Sequence, residues 1–240
     1  MKKVKSFLLK EIHNLHLIFR AYRSHEGLGF WFRGQADSTW DLVPKGGRAP
    51  YYLSNNRDLG RFKFWCQQAI AYSNLPSSSI ERLALAQHHG LATRLLDWTK
   101  NPLVACFFAC YEHPNKDGAV YILETPKDFI TENTHIGQIK VHQGIFGYIP
   151  NIITPRILNQ KGMFTVHCDA SHPIEIEPSR IDGEDTNITQ IVIPASLKLD
   201  LIEVLGDYGI DRAFLFPDLD GLSDHVNHST KKLNTATQKY

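Results

Sequence analysis

Apolar positions along the chain mark out helices and strands in no regular alternation. From Val4 through Phe7, Leu8, Ile12, Leu15, Phe19 and Tyr22 they recur at helical spacing, which predicts an amphipathic N-terminal helix over 1–24 lying on a core. A turn over 25–29 leads into FWFRGQ (30–35), where strand alternation puts Trp31 and Arg33 on one face and Phe30, Phe32 and Gly34 on the other. Phe62, Trp65, Ala69 and Tyr72 sit at helical intervals in a helix expected over 57–72. Ser78-Ser79-Ile80-Glu81 has the capping-box pattern that opens a further helix, and Gly90 stops it. TRLLDWT (93–99) reads as a short strand running into a helix capped by Asn101 and begun by Pro102. That helix, LVACFFACYEH, is apolar nearly all round and must be buried. AVYIL, MFTVH (163–167) and ITQIVI (188–193) look like strands, 125–155 reads mostly as loop, and 197–208 as a helix ended by Gly209. AFLFPDLDGL closes the domain, and 227–240 is expected to be a polar, frayed tail. Elements mixed in this way predict a single-domain α+β fold rather than a doubly wound sheet.

Composition narrows the partners. The 240 residues are 42% hydrophobic with a net charge of +1, enough apolar material for a sizeable core and too little charge for a broad polyanion-binding surface. A local basic cleft remains compatible with that sum. Cys66, Cys106, Cys110 and Cys168 form no CxxC and no zinc spacing, which suggests a reduced, cytoplasmic chain. Lys10 and Glu11 interrupt the only signal-like stretch, and no eighteen-residue apolar run exists, so no membrane span is expected. No P-loop, G-x-S-x-G, HExxH or dinucleotide fingerprint is present. Asp218-Leu219-Asp220-Gly221 lacks the spaced ligands of a calcium loop and reads as a helix cap or turn, so no metal is expected.

Candidate chemistry gathers in three places: Arg33-Gly34-Gln35, the stretch from Gln87 to Thr99, and Arg156 to Gly162. His88 and His89 fall at a helix C-terminus, where the macrodipole favours the imidazolium. Arg94, Asp97 and Thr99 decorate a strand that ends at a helix N-terminus, a sensible place for a phosphate or ribose. Gly34 beside Arg33 would let a ligand approach the backbone, and Gln35 and Arg156 add polar and cationic reach. Plainer readings stand beside these: an Arg94–Asp97 structural ion pair, Thr99 as a turn cap, Gly34 as a bulge glycine, His89 at the surface.

FRGQ followed by Trp40, Leu42, Pro44 and Arg48, then QHHGLATRLLDWTKNPLVACFFA, RILNQKGMFTVH and LFPDLDGL, together resemble the FRG domain family. The resemblance runs from about Phe30 to about Val226, within a domain expected over 25–226, with Ala92 where the family often has proline. More distantly, FWFRG, LLDWT, KNPLVACFFA and GAVYIL follow the order of ADP-ribosyltransferases of the arginine–serine–glutamate type. That resemblance implies a mixed, mainly antiparallel sheet flanked by helices and an enzyme that uses NAD. Arg33 would bind NAD phosphate or ribose oxygens, and Thr99 would support the nicotinamide ribose with Asp97 alongside. Gln160 stands where such enzymes carry the catalytic glutamate, so Asp97 would have to supply the negative charge, with His88 as acid/base or positioning group. Arg33, His88, Asp97 and Gln160 are thus the catalytic candidates, and Arg33, Gly34, Gln35, Arg94, Thr99 and Arg156 the nucleotide-binding ones. The implied role is a toxin or anti-phage effector with a nucleic acid, nucleotide or protein acceptor and an antitoxin or defence-system partner. A nuclease and a non-catalytic ligand-sensing module are the alternatives.

Overall fold

The protein is described from a computed structural model, over residues 5–22, 29–126, 128–139, 144–151, 154–174 and 188–237. Seven strands form one sheet in the order β1-β7-β4-β2-β3-β6-β5. They are β1 (Lys5–Leu8), β2 (Phe30–Gln35), β3 (Leu95–Thr99), β4 (Gly118–Glu124), β5 (Ile145–Tyr148), β6 (Gly162–His167) and β7 (Ile188–Ile193). Only β1 and β7 pair in parallel; every other neighbouring pair is antiparallel. The fold is α+β, as the pattern predicts, and its sheet is mixed and mainly antiparallel, as the more distant resemblance implies.

Nine helices flank the sheet among the described residues: α1 (Asn14–Ala21), α2 (Asp58–Ala69), α3 (Ser79–His88), α4 (Pro102–Cys110), α5 (Ile136–Ile139), α6 (Pro155–Gln160), α7 (Ala195–Asp207), α8 (Arg212–Leu215) and α9 (Leu219–Thr237). Local signals place most of them. Asn101 caps α4 by accepting from the Leu103 N–H (3.0 Å), with Pro102 at the first position. Gly90 and Gly209 follow α3 and α7 with φ of +90° and +75°, a backbone region glycine enters without a Cβ clash. Asp218 accepts from the Gly221 N–H (2.7 Å), so the acidic stretch is a helix cap, as the sequence suggests.

Four expectations need correction. The N-terminal helix begins only at Asn14, because residues 5–8 form a strand along β7 (Val4 and the turn over 25–28 lie outside the described residues). Ser78 does precede α3, but its hydroxyl donates to the Glu132 carbonyl (2.7 Å) and Glu81 accepts from Asn151, so no capping box closes. Within 125–155, β5 adds an edge strand to β6. The supposed tail is helical as far as Thr237, in α9.

Both sheet faces are buried. Phe32, Val120, Ile122 and Ile191 pack under α4 and α7, while Leu95, Phe164 and Val166 pack under α3. Trp31, Leu96, Trp98, Tyr121 and Leu123 form a cluster on the opposite face. Gly34 is where α4 crosses β2 most closely. A Cβ there would sit 1.9 Å from the Ala105 carbonyl oxygen and 2.6 Å from the Ala109 nitrogen. Helix backbone, and not a ligand, fills the space the missing side chain leaves. Gly34→Ala is therefore expected to lower stability by about 1–3 kcal/mol through overpacking, measured by urea denaturation.

Candidate functional site

β2 and β3 share a single rung, Phe32 opposite Thr99, whereas β2 pairs with β4 along its whole length. Beyond that rung the two strands part, and the Arg33 guanidinium enters the gap. Its Nη1 donates to the Asp97 carbonyl (2.8 Å) and lies 3.8 Å from the Asp97 carboxylate. The parted strands, the C-terminus of α3 and the start of α6 enclose a cleft of about 370 Å³. That is within the usual range for small-molecule sites.

Seven of the sequence candidates meet there: Arg33, Gly34, His88, Asp97, Thr99, Arg156 and Gln160. Gln87, from the second of the three stretches, also lines it, as do Lys45 and Arg48, which lie outside all three. Lys45 and Arg48 flank Gly46 and Gly47 in a short 3₁₀ turn and its exit, where no periodic pattern points to a site. The Gly46 N–H donates to the Thr93 carbonyl (2.8 Å), which pins that turn beside β3. Among the lining side chains the permanent charges are Arg33, Lys45, Arg48 and Arg156 against Asp97 alone, three more positive than negative. A chain whose net charge is +1 thus carries a locally cationic cleft.

Burial pushes the Arg33 guanidinium down to about 10, against the raising effect of Asp97, so it stays charged at neutral pH. Burial also lowers Arg48 and Arg156, with Asp97 pulling both the other way. Three guanidinia crowded around one carboxylate lack enough negative charge nearby, and an anion would supply it. Asp97 is open to solvent, its side chain 64% exposed, while Gln87 Nε2 holds its Oδ1 at 2.8 Å. The Thr93 hydroxyl donates to Gln87 Oε1, which leaves the amide NH₂ facing Asp97.

His88 corrects an expectation. Burial, then neighbouring Arg156, lowers its pKa below the ordinary value, so it is neutral at pH 7 in spite of the helix C-terminus. The Thr99 hydroxyl is taken: it donates to the Gln160 carbonyl (2.6 Å) and accepts from the Asn101 N–H (3.0 Å). It is a turn cap joining β3 to α6. Gln160 donates its amide to the Leu215 carbonyl (2.9 Å), tying α6 to α8. Arg156 lies over the Phe216 ring, 4.3 Å from its centre.

Two candidates do not line the cleft. Gln35 is buried on its far side and donates to the Asp41 carbonyl (3.3 Å). Arg94 is wholly buried and grips Asp58 with two hydrogen bonds (2.9 and 2.7 Å), adding Asn56 and the Cys168 carbonyl. It is an ion-paired structural residue, paired with Asp58 rather than with Asp97.

The sequence model of the FRG domain family matches residues 29–118, which run from the start of β2 to the start of β4. The chain carries an FRG domain. The arginine–glycine pair for which the sequence resembles that family is the one at the head of the cleft, and the FRG match takes in β2, α3, β3 and α4 whole. Arg156 and Gln160 come from α6, outside the match. No curated protein and no solved structure matches the chain. Among the described residues no group of three His, Cys, Asp or Glu side chains is placed to hold a metal ion, and no helix is long and apolar enough to cross a membrane.

Proposed function

We propose that the cleft binds a nucleotide by its phosphates and that the protein is an ADP-ribosyltransferase-like enzyme acting on NAD. The observation that carries this reading is the union, in one cleft, of three guanidinia with a single exposed carboxylate. Arg33, Arg48 and Arg156 hold the pyrophosphate. Asp97 faces the nicotinamide ribose, where cationic character develops as the bond from the ribose carbon to the nicotinamide nitrogen breaks. Nicotinamide leaves with the bonding pair, the acceptor nucleophile supplies a new pair to that carbon, and neutral His88 takes the acceptor's proton. A role as toxin or anti-phage effector, with nucleic acid, nucleotide or protein as acceptor, rests on the family resemblance alone. A second reading, phosphodiester cleavage with His88 as base, is favoured by the neutral imidazole beside Arg156.

Incubating the protein with NAD and cell extract is expected to release nicotinamide and leave an ADP-ribose adduct. Arg48→Gln and Arg156→Gln are each expected to raise KM for NAD about tenfold, the worth of a charge-assisted hydrogen bond. Absence of both nicotinamide and adduct overturns the reading. Cleavage of RNA or DNA without NAD, lost in His88→Ala, would install the nuclease in its place.

A further inference from the structure

A second hollow of about 160 Å³ opens on the other side of Arg33. It shares Arg33, Gly34, Arg48 and Phe108 with the cleft, whereas His88, Asp97 and Gln160 line the cleft and not this hollow. The cationic pair Arg33 and Arg48 therefore stands between the proposed reacting end and this recess. Its walls are aromatic and charged: Trp40, Tyr111 and Phe216, then Glu112, and the Arg212 guanidinium, which lies 3.9 Å from the Phe216 ring centre and 5.2 Å from that of Tyr111 and pairs with Asp224 at 3.0 Å. Trp40 is partly open to solvent, its ring meeting His113 edge-on.

The recess also gathers unmet hydrogen-bonding capacity. Among the described residues six buried side-chain polar atoms lack a partner, and three belong to residues that line this hollow: Arg33 Nε, Gln35 Oε1 and Arg212 Nε. Each unmet buried group is costly, and their clustering on one small hollow marks a surface prepared for polar atoms of something else. Two are donors and one is an acceptor. A planar ring with ring acceptors and an exocyclic amine satisfies that set, and its faces suit aromatic and guanidinium walls.

We infer that the recess is a nucleobase subsite, taking the base attached to the phosphates that Arg33 and Arg48 hold and favouring a base with an exocyclic amine. This rests on the reading of the cleft as a phosphate site. It fixes the ligand's polarity: reacting sugar at Asp97, phosphates at the arginines, distal base against Trp40 and Arg212. The same base chemistry is offered by a free nucleotide or by single-stranded nucleic acid.

Titration calorimetry with pyrophosphate, ADP and UDP tests it on the full chain. ADP is expected to bind about tenfold tighter than pyrophosphate, the contribution of one stacked base, and UDP more weakly than ADP for want of the amine. Trp40→Ala and Arg212→Met should erase the ADP advantage and leave pyrophosphate binding unchanged. A single-stranded adenine tetranucleotide decides the source: displacement of ADP assigns the base to nucleic acid, and no displacement assigns it to a free nucleotide. ADP binding no tighter than pyrophosphate, or an equal loss for both ligands in the variants, overturns the recess and leaves the cleft standing. No binding by any of the three overturns both. Base-dependent binding without nicotinamide release keeps the recess and removes the ADP-ribosyl transfer.

Discussion

Arg94→Met is expected to destabilise the fold by about 3–5 kcal/mol, because it strands a buried carboxylate. Every hydrogen bond the Arg94 guanidinium makes stays inside the protein: both Asp58 oxygens, Asn56 Oδ1 and the His167 and Cys168 carbonyls. Remove it and Asp58, only 6% exposed, keeps no ion pair among the described residues. At this chain length a loss of that size lowers the melting temperature by about 10 °C. Replacing the partner too, in Arg94→Met with Asp58→Leu, should recover much of the loss, since a buried pair exchanged for apolar groups of similar volume is often neutral. Thermal denaturation of the single and double variants is the measurement. Weakened pyrophosphate binding at unchanged stability would instead return Arg94 to the ligand.

That arginine shows where sequence reading stops. A strand that carries Arg94, Asp97 and Thr99 declares polar chemistry, but alternation says nothing of which partner each side chain meets. Asp58 lies 36 positions away at the head of another helix, and no local pattern joins the two. The same limit governs the elements. Asn101-Pro102, Gly90 and Gly209 act within one turn, so α4 and the ends of α3 and α7 were legible. Residues 5–8 instead owe their strand to β7, more than 180 positions on, and pairing at that range overrides a helical spacing. Ser78 has a good local motif, yet its hydroxyl turns to Glu132, 54 residues distant.

The cleft itself was half legible. Arg33, Asp97 and His88 were read from residue type and order, and they meet because β2 and β3 are neighbours that part after one rung. Nothing in the string announces that parting. Lys45 and Arg48 carry no such signal because a loop has no period to read, and strand order does not tell that Gln35 lies outside the cleft, bonded to the Asp41 carbonyl on the wall of the recess. Gly34 does line the cleft, and packing adds what no string of residues announces, the α4 backbone standing where its side chain would be.

Asp97→Asn is expected to move two measurements in opposite directions. The side chain is mostly exposed and asparagine can still accept from Gln87 Nε2, so folding should be unaffected. Ground-state binding of a phosphate ligand should hold or tighten, since the substitution removes the lone lining carboxylate and leaves four cations in place. Nicotinamide release should fall about 10²–10³-fold, the usual loss when one electrostatic stabiliser of a developing charge is deleted. A lower kcat with an unchanged or lower Kd marks a group that acts on the transition state alone. If the carboxylate only held Arg33, the variant would instead lose stability and affinity together. The pH profile adds a separate check on His88. Its pKa is depressed, so the neutral base persists to a pH below the ordinary value of about 6.5, and activity should stay level across neutrality and decline only under more acid conditions. Arg156→Gln withdraws one of the depressing charges and should shift that acid limb to higher pH, whereas Asp97→Asn leaves its position unchanged. A limb that moved with Asp97 and not with Arg156 would make Asp97 the titrating base and leave His88 a packing residue.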